Sequence, residues 1–363
     1  MERIAVLGAG NGGQAMAGHL GMRGFDVTLF QLPAFEESIA PIRKTGVITL
    51  TGHLQGEGPV RATTDMREAL EGTGIVYVVV PAFGQLPMMT EAAPYLEPGT
   101  KVVFIPGNFA SLVSSNWMKR AGLEKRALLA ETDTLPYACR LDQPGQVHVW
   151  GMKNRLAAAA LPGNRTGELL EAIGPSFPIK VVPAGSVLEI GLSNMNMVVH
   201  CLTLLLNVGR VEATGGAFRF YTDGVTPTIG KLMEALDRER LGVAKAYGLE
   251  LPSAMEWIRG SYGVEGENLY ELMSRNPAYA GHGNDAPRVV RHRYVTEDVP
   301  NLLVPLEALG RIAGLETPVV SSLITLWNTA LDEDFRASGR DLESMGLTGL
   351  APKEIRTVLE GGF

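Results

Sequence analysis

Short apolar runs separated by turns dominate the first half of the chain. Residues 4–7, 26–30, 75–80 and 102–105 are almost entirely apolar, which is typical of parallel strands that are buried on both faces. Residues 14–23, after the first run, have a helical pattern. Strands that alternate with helices predict an α/β fold with a parallel sheet.

Weaker strand signals fill the rest of this half. Residues 47–55 and 60–63 are predicted to pair as a hairpin, because Gly56 and Gly58 between them are turn signals. Further short strands, the first two as extensions of the sheet, are expected at residues 127–132, 147–152, 155–161 and 179–182.

The pattern changes after Pro183, where strand-like runs stop and long helical periodicities begin. We therefore expect two domains, residues 1–183 and 184–363, the second of them all-helical. Residues 186–212 are predicted to form one long helix with a buried apolar stripe. The same helix has a polar ridge, formed by Ser193, Asn196, His200, Thr203 and Asn207.

A polar ridge on a mostly buried helix needs partners, since each unsatisfied buried group costs about 1–3 kcal/mol. We expect it to meet another polar helix face or to line a wet cleft. The next helix is predicted to begin at Thr226 as cap, with Pro227 in its first turn. Further helices are expected at residues 254–259, 269–274, 301–313, 318–331, 341–345 and 352–359.

The loop after the first strand is rich in glycine. Gly8, Gly10 and Gly13 have the spacing G-x-G-x-x-G between a predicted strand and a predicted helix. The first glycine allows a tight turn, the second lets the backbone approach a pyrophosphate, and the third lets the helix pack on the strand. Together with Asn11 and Gly12 the loop predicts a Rossmann-type dinucleotide-binding domain, with a structural glycine turn as the alternative.

Three residues that follow predicted strands are further candidates for cofactor contact. Gln31 stands where such domains usually carry an acid for the ribose diol, so the sequence does not decide between NAD and NADP. Pro81 and Asn108 follow two other strands, and ligands of these sheets lie at the carboxyl ends of strands. Ordinary strand-ending turns are the alternative for both.

Composition excludes several classes of function. The chain of 363 residues has a formal net charge of −7, which argues against nucleic-acid and membrane-surface partners. Its two cysteines, Cys139 and Cys201, have no metal-ligand spacing. No uninterrupted apolar run reaches the length of a membrane span, about 18 residues, and the first apolar run is a predicted strand rather than a signal peptide. We expect a cytoplasmic protein without a metal site.

Two side chains are suited to proton transfer at such a cofactor. His200 lies on the polar ridge, and imidazole titrates near neutral pH; a structural, hydrogen-bonded histidine is the alternative. Asp298 is a candidate for the carboxylate that orients it, with a helix N-cap as the alternative. The basic residues Arg288, Arg291 and Arg293 include a candidate carboxylate ligand or form a solvated edge.

The segment Tyr221–Gly224 precedes a helix N-terminus, where an anion could dock, with a simple capped turn as the alternative. The chain as a whole resembles the opine dehydrogenases of the octopine, nopaline and N-(1-carboxyethyl)-norvaline type. The resemblance rests on GAGNGG at residues 8–13, the His200 helix and RYVTEDVP at residues 293–300. It also includes the motifs PYACR, YTDGVTP, LDRER and GRDLESMGL at residues 136–140, 221–227, 236–240 and 339–347.

The resemblance implies a Rossmann domain, a helical second domain of the 6-phosphogluconate dehydrogenase type and a cleft between them. It implies a catalytic pair that falls on His200 and Asp298, and an arginine, Arg293, that holds the carboxylate of a 2-oxo acid, with Tyr221 and Thr226 as further substrate contacts. The implied reaction is the NAD- or NADP-dependent reductive condensation of a 2-oxo acid with an amino acid. A homodimer is implied by analogy.

Two other functions stay open. A ketopantoate-type 2-oxo acid reductase would need a lysine on the catalytic helix, and no lysine lies between Lys180 and Lys231. A dinucleotide-binding regulator without catalysis is the second alternative, which the set of histidine, aspartate and arginine disfavours.

Overall fold

The computed structural model describes residues 3–124, 126–281 and 284–361. The fold divides into two compact units. The first comprises the chain up to Gly191, residues 344–346 and the segment from Thr357 onward, and the second comprises residues 192–343 and 347–356. The predicted domain boundary after Pro183 lies within the first unit.

All strands of the described residues belong to the first unit. They are β1 Arg3–Leu7, β2 Asp26–Phe30, β3 Val47–Gly52, β4 Gly56–Pro59, β5 Arg61–Thr63, β6 Ile75–Val78, β7 Thr100–Phe104, β8 Ala127–Thr132, β9 Tyr137–Gln143, β10 Gln146–Met152, β11 Arg155–Leu161 and β12 Lys180–Pro183.

The main sheet has eight strands in the order β12-β11-β8-β7-β6-β1-β2-β5. All neighbours are parallel except β8 and β11. The chain passes from β1 to one side through β2 and β5 and then returns to β6 on the other side, so the sheet is doubly wound around β1. Buried apolar side chains cover both of its faces, which confirms the predicted Rossmann-type fold.

A second sheet has the order β4-β3-β10-β9 and corrects two predictions. Strand β10 pairs with β3 here rather than extending the main sheet. The hairpin partner of β3 is β4, while β5 joins the edge of the main sheet. The sequence of β4 is GEGP, without apolar alternation, because its backbone lies against the helix Asn11–Met22. A Cβ on Gly58 would stand 1.9 Å from the carbonyl oxygen of Gly18.

The helices of the described residues occur in both units. They are α1 Asn11–Met22, α2 Ala40–Thr45, α3 Met66–Leu70, α4 Ala82–Ala92, α5 Ala110–Arg120, α6 Thr166–Ile173, α7 Val187–Leu192, α8 Asn196–Leu205, α9 Val208–Thr214, α10 Pro227–Ala246, α11 Ala254–Tyr262, α12 Leu269–Ser274, α13 Pro277–Ala280, α14 Arg293–Thr296, α15 Val304–Ile312, α16 Pro318–Leu331, α17 Phe335–Ser338 and α18 Pro352–Gly361.

The long helix predicted for residues 186–212 is wrong as one element, because the chain breaks it into α7, α8 and α9. Asparagine side chains compete for the backbone at both breaks. The Oδ1 atom of Asn194 accepts a hydrogen bond from the backbone N–H of Asn196. The Nδ2 atom of Asn207 donates to the carbonyl oxygens of Thr203 and Gly224.

Residues 187–205 are long and apolar enough to cross a membrane by length and composition alone, although no such run was predicted from the sequence. Most of this segment, 83%, is buried within the protein, as in core helices of globular proteins. Helix α8 packs against α10, α14 and α16. The indole of Trp327 on α16 donates to the carbonyl oxygen of Cys201, which fixes α8 and thereby the position of His200.

Candidate functional site

The glycine loop of the first unit has the close contacts that its spacing predicts. Gly8 has a φ of +107°, and a Cβ there would stand 2.6 Å from the carbonyl oxygen of Val79. A Cβ on Gly13 would stand 1.8 Å from the carbonyl oxygen of Gly8, whereas a Cβ on Gly10 would meet nothing within 4 Å. The loop is therefore packed on the protein side and open at Gly10, which begins helix α1 as its N-cap. This arrangement fits a dinucleotide pyrophosphate at the helix N-terminus.

The other predicted cofactor residues lie at the same edge of the sheet, since they follow parallel strands. The side-chain oxygens of Asn11 and Gln31 accept backbone hydrogen bonds: the Oδ1 atom of Asn11 accepts from the N–H of Leu141, and the Oε1 atom of Gln31 accepts from the N–H of Leu32. Gly12 faces the side chain of Leu135. Pro81 is exposed at the start of α4.

The loop that holds Asn108 is strained and supported by a buried acid. Asn108 and Phe109 both have a positive φ, 55° and 66°, which non-glycine residues rarely adopt. The fully buried carboxylate of Glu131 accepts hydrogen bonds from the N–H groups of Phe109 and Ser111. Glu131 therefore fixes this loop and the first turn of α5, a role that was not predicted from the sequence.

In the second unit, the predicted proton-transfer pair is in contact. The Nδ1 atom of His200 lies 2.8 Å from Oδ2 of Asp298, and the side chains are only 9% and 4% exposed. Asp298 precedes a π-helical turn, Val299–Leu303, and its side chain makes no capping hydrogen bond. The carboxylate thus serves the histidine, which decides between the two interpretations of Asp298.

Two tyrosines complete the surroundings of His200. Its Nε2 atom lies 3.1 Å from the hydroxyl oxygen of Tyr221, and its ring stacks on Tyr294 with centroids 3.9 Å apart. The two hydroxyl oxygens are 3.5 Å apart. Burial, followed by the neighbouring Tyr294, raises the pKa of Tyr221 well above its usual range, so its hydroxyl stays protonated and can donate.

A second histidine next to this group stays neutral. Burial, and then the positive charge of Arg293, lower the pKa of His292 to about 4. Its Nδ1 atom accepts a hydrogen bond from the N–H of Tyr294, at the start of α14. His292 therefore adds no positive charge beside His200 at neutral pH.

Comparisons with known proteins identify the family of the chain. The family model "NAD/NADP octopine/nopaline dehydrogenase, alpha-helical domain" matches residues 183–331, and "NAD-dependent glycerol-3-phosphate dehydrogenase N-terminus" matches residues 3–108. The chain is 36% identical to an opine dehydrogenase from Arthrobacter sp. (strain 1C), over 99% of both chains. The chain belongs to the opine dehydrogenase family.

Solved structures show the same fold. An octopine dehydrogenase with NADH and L-arginine superposes with a TM-score of 0.79 at 21% identity, covering 100% of this chain and 99% of the other. The same enzyme with NADH and pyruvate gives a TM-score of 0.77 at 22% identity, with the same coverage. This opine dehydrogenase family member is an NAD(P)-dependent oxidoreductase that acts on CH–NH bonds.

The remaining predicted substrate residues differ in what they contact. The side chain of Arg293 is 61% exposed, and its Nε atom lies 3.6 Å from Oε2 of Glu297, so most of the side chain is accessible to an anion. Arg291 pairs with Glu333 instead. The Oγ1 atom of Thr226 accepts a hydrogen bond from the N–H of Ile229, which confirms Thr226 as the cap of α10.

Tyr294 and His292 were likewise not predicted from the sequence. Both lie beside the predicted Arg293, in or next to the motif RYVTEDVP, and an aromatic residue in that motif was the available signal. A further feature that the sequence did not predict is a row of aromatic rings next to Tyr221. Tyr279 stacks on Tyr221 with centroids 4.7 Å apart, and Tyr262 contacts Tyr279.

Proposed function

We propose that the protein condenses a 2-oxo acid, with pyruvate as the representative substrate, with the amino group of an amino acid and reduces the resulting imine. The product is an N-(1-carboxyalkyl) amino acid. Membership of the opine dehydrogenase family supports the reaction class. The observation that carries the proposal is the buried contact between His200 and Asp298, because the reaction consumes a proton.

The glycine loop is the proposed site of the cofactor. The open position at Gly10 and the N-terminus of α1 would hold the pyrophosphate of NAD or NADP, with Gly8, Asn11, Gly12 and Gly13 forming the rest of the loop. When bound, the nicotinamide supplies the hydride that reduces the imine carbon. Gln31, Pro81 and Asn108 are proposed as the neighbouring contacts at the same edge of the sheet.

His200 is the proposed proton donor in condensation and the base in the reverse direction. Since Asp298 accepts the Nδ1 hydrogen, the other ring nitrogen is the one that exchanges the proton. The negative carboxylate also stabilises the imidazolium form. Arg293 is proposed to bind the oxo-acid carboxylate bidentately, while Tyr221 and Thr226 border the substrate.

A substrate screen tests the proposal. Purified protein is mixed with pyruvate or glyoxylate, a panel of amino acids, and NADH or NADPH, and loss of reduced nicotinamide is followed. We expect oxidation only when both an oxo acid and an amine are present. Oxidation with an oxo acid alone would favour the ketopantoate-type reductase, and no oxidation with any pair would favour the regulator.

We also propose a cytoplasmic homodimer. The dimer follows from the family resemblance alone, which is an associational argument. The cytoplasmic location is supported by Cys139 and Cys201, which are both free thiols, as is usual in a reducing compartment. Light scattering of the purified protein measures the mass; a monomer near 38.9 kDa would contradict the dimer.

A further inference from the structure

Both ring nitrogens of His200 already have partners. Nδ1 lies 2.8 Å from Asp298, and Nε2 lies 3.1 Å from the hydroxyl oxygen of Tyr221. A substrate nitrogen that takes its proton directly from Nε2 must first displace this hydroxyl. The hydroxyl oxygen of Tyr221 therefore occupies the position next to Nε2, the ring nitrogen that Asp298 leaves to exchange protons.

Neighbouring rings hold Tyr221 at this place. Its ring stacks on Tyr279, with centroids 4.7 Å apart and 28° between the planes, and its edge meets Phe220 at 5.1 Å. The hydroxyl of Tyr294 lies 3.5 Å from that of Tyr221. Tyr221 is thus fixed by packing on its ring, while its hydroxyl belongs to a chain of hydrogen-bonding groups that ends at Asp298.

We propose that the hydroxyl of Tyr221 is the group that exchanges the proton with the substrate nitrogen, and that His200 and Asp298 resupply it. This inference rests on the proposed function and assigns the proton path within it. Tyr221 is then a catalytic residue rather than a general contact of the substrate.

The step balances as two linked proton transfers. The hydroxyl hydrogen of Tyr221 passes to the imine nitrogen, and the Nε2 hydrogen of protonated His200 passes to the oxygen of Tyr221. The π electron pair of the C=N bond forms the new N–H bond as the carbon receives the hydride that the established activity supplies. Tyrosine ends neutral, His200 ends neutral, and the product is a secondary amine; oxidation of an opine runs the same transfers in reverse.

The surroundings require the two transfers to be linked. Burial and the neighbouring Tyr294 raise the pKa of Tyr221 well above its usual range, so a free tyrosinate is strongly disfavoured. A hydroxyl that gives one hydrogen while receiving another never becomes an anion. This is the form of relay that a buried tyrosine can support.

A purely positioning role for the Tyr221 hydroxyl gives a different expectation. The imidazole is already oriented by its bond to Asp298 and by stacking on Tyr294, at 3.9 Å and 22°. Removing a third contact should then leave the ring in place and change turnover little. Removing the relay atom should instead abolish most proton transfer.

The substitution Tyr221→Phe separates these roles, because it removes only the hydroxyl. With the best oxo acid and amine found for the wild type, we expect kcat to fall about 100-fold or more. KM for both substrates should change less than about threefold, and NAD(P)H binding, measured by fluorescence titration, should be unchanged. Tyr270→Phe on α12 makes the same chemical change in the same unit and should keep wild-type kcat.

A proton inventory on the wild type tests the relay without any variant. Rates of condensation are measured in mixtures of H₂O and D₂O. Two protons in motion predict a downward-bowed plot, and a straight or flat plot would overturn the relay. If the wild type shows no amine-dependent oxidation of NAD(P)H, the proposed function itself is wrong. If the wild type is active and the kcat of Tyr221→Phe lies within about threefold of the wild-type kcat, only the relay is wrong.

Discussion

The Nδ1 atom of His200 lies 2.8 Å from Oδ2 of Asp298, although the two residues are 98 positions apart in sequence. A carboxylate can only accept a hydrogen bond, so Nδ1 carries the hydrogen and Nε2 is left to exchange protons. The contact depends on α8 and on the π-helical turn after Asp298, both of which belong to the helical unit.

Asp298→Asn tests the electrostatic part of this contact. The amide can still accept from Nδ1, but it cannot stabilise a positive imidazolium, and it can also donate and so select the wrong tautomer. We expect kcat for condensation to fall by about 10²–10⁴, with NAD(P)H affinity unchanged. Asp285→Asn, which alters an acid that is 68% exposed, is the control. Wild-type kcat in Asp298→Asn would remove Asp298 from the mechanism.

The same glycine-to-alanine change is expected to have different effects at two positions of the glycine loop. In Gly10→Ala the new Cβ meets no protein atom within 4 Å and φ is an ordinary −78°, so the fold should survive while the approach of the pyrophosphate is blocked. In Gly13→Ala the Cβ lies 1.8 Å from a backbone oxygen, so the fold should be destabilised. Thermal melts and NADH titrations should show a near-normal melting temperature with weak NADH binding for Gly10→Ala. For Gly13→Ala they should show a clearly lower melting temperature. A normal affinity in Gly10→Ala would contradict the assigned pyrophosphate site.

Much of the fold was predictable where local pattern and tertiary role agree. Strand β2 has the predicted bounds, and the loop of Gly8, Gly10 and Gly13 has its predicted contacts. Strand β4 was not predictable, because the close approach of its backbone to α1 requires glycine at position 58. Glycines in such a segment are typical of turns rather than of strands. The breaks after α7 and α8 depend on side-chain hydrogen bonds that helical periodicity does not report.

Arg293 is tested as the carboxylate ligand with Arg291 as its control. The side chains of the two arginines are similarly exposed, 61% and 62%. Arg293→Ala should raise the KM of the oxo acid about 10-fold or more, as charged hydrogen bonds contribute about 1.5–3 kcal/mol. Arg291→Ala should change it little, because Arg291 pairs with Glu333. Melting temperatures should stay near wild type in both variants. Equal KM values in the two variants would argue against Arg293 as the carboxylate ligand.

His19 in α1 predicts a pH dependence of stability. Burial, and then the charge of Arg23, lower its pKa from 6.5 to about 4. Between these values the unfolded chain binds a proton that the folded protein does not, so the free energy of unfolding falls as the pH decreases from 6.5 towards 4. His19→Gln should reduce the loss between pH 7.5 and 5.0 by about 1–2 kcal/mol. His292 is shifted in the same direction, so part of the dependence should persist.

Urea denaturation of wild type and variant at both pH values measures this difference. His53→Gln replaces an exposed histidine and serves as the control. The same pH-dependent loss in His19→Gln as in the wild type would show that His19 is not the group responsible.

The candidate site was predictable in part. Position on a polar ridge pointed to His200. Spacing alone favoured a helix cap for Asp298, and the family resemblance implied its pairing with His200; the three-dimensional contact decides between the two. Tyr294 was not predicted as a site residue, because α14 is only four residues long. Such a short helix has no periodicity that would show which side chains face His200. Tyr221 was expected at a helix N-terminus, and its bond to Nε2 of His200 could not be derived from spacing.

The most direct test of the catalytic pair is a double-mutant cycle on kcat for condensation, with His200→Ala, Asp298→Ala and both together. Residues that act as one unit show strongly non-additive effects. We predict that His200→Ala lowers kcat by about 10²–10⁴. The double variant should be no more than about threefold slower than His200→Ala, and all variants should still bind NAD(P)H. Wild-type turnover in His200→Ala, or losses that simply multiply in the double variant, would contradict the role of His200 and Asp298 as one catalytic unit.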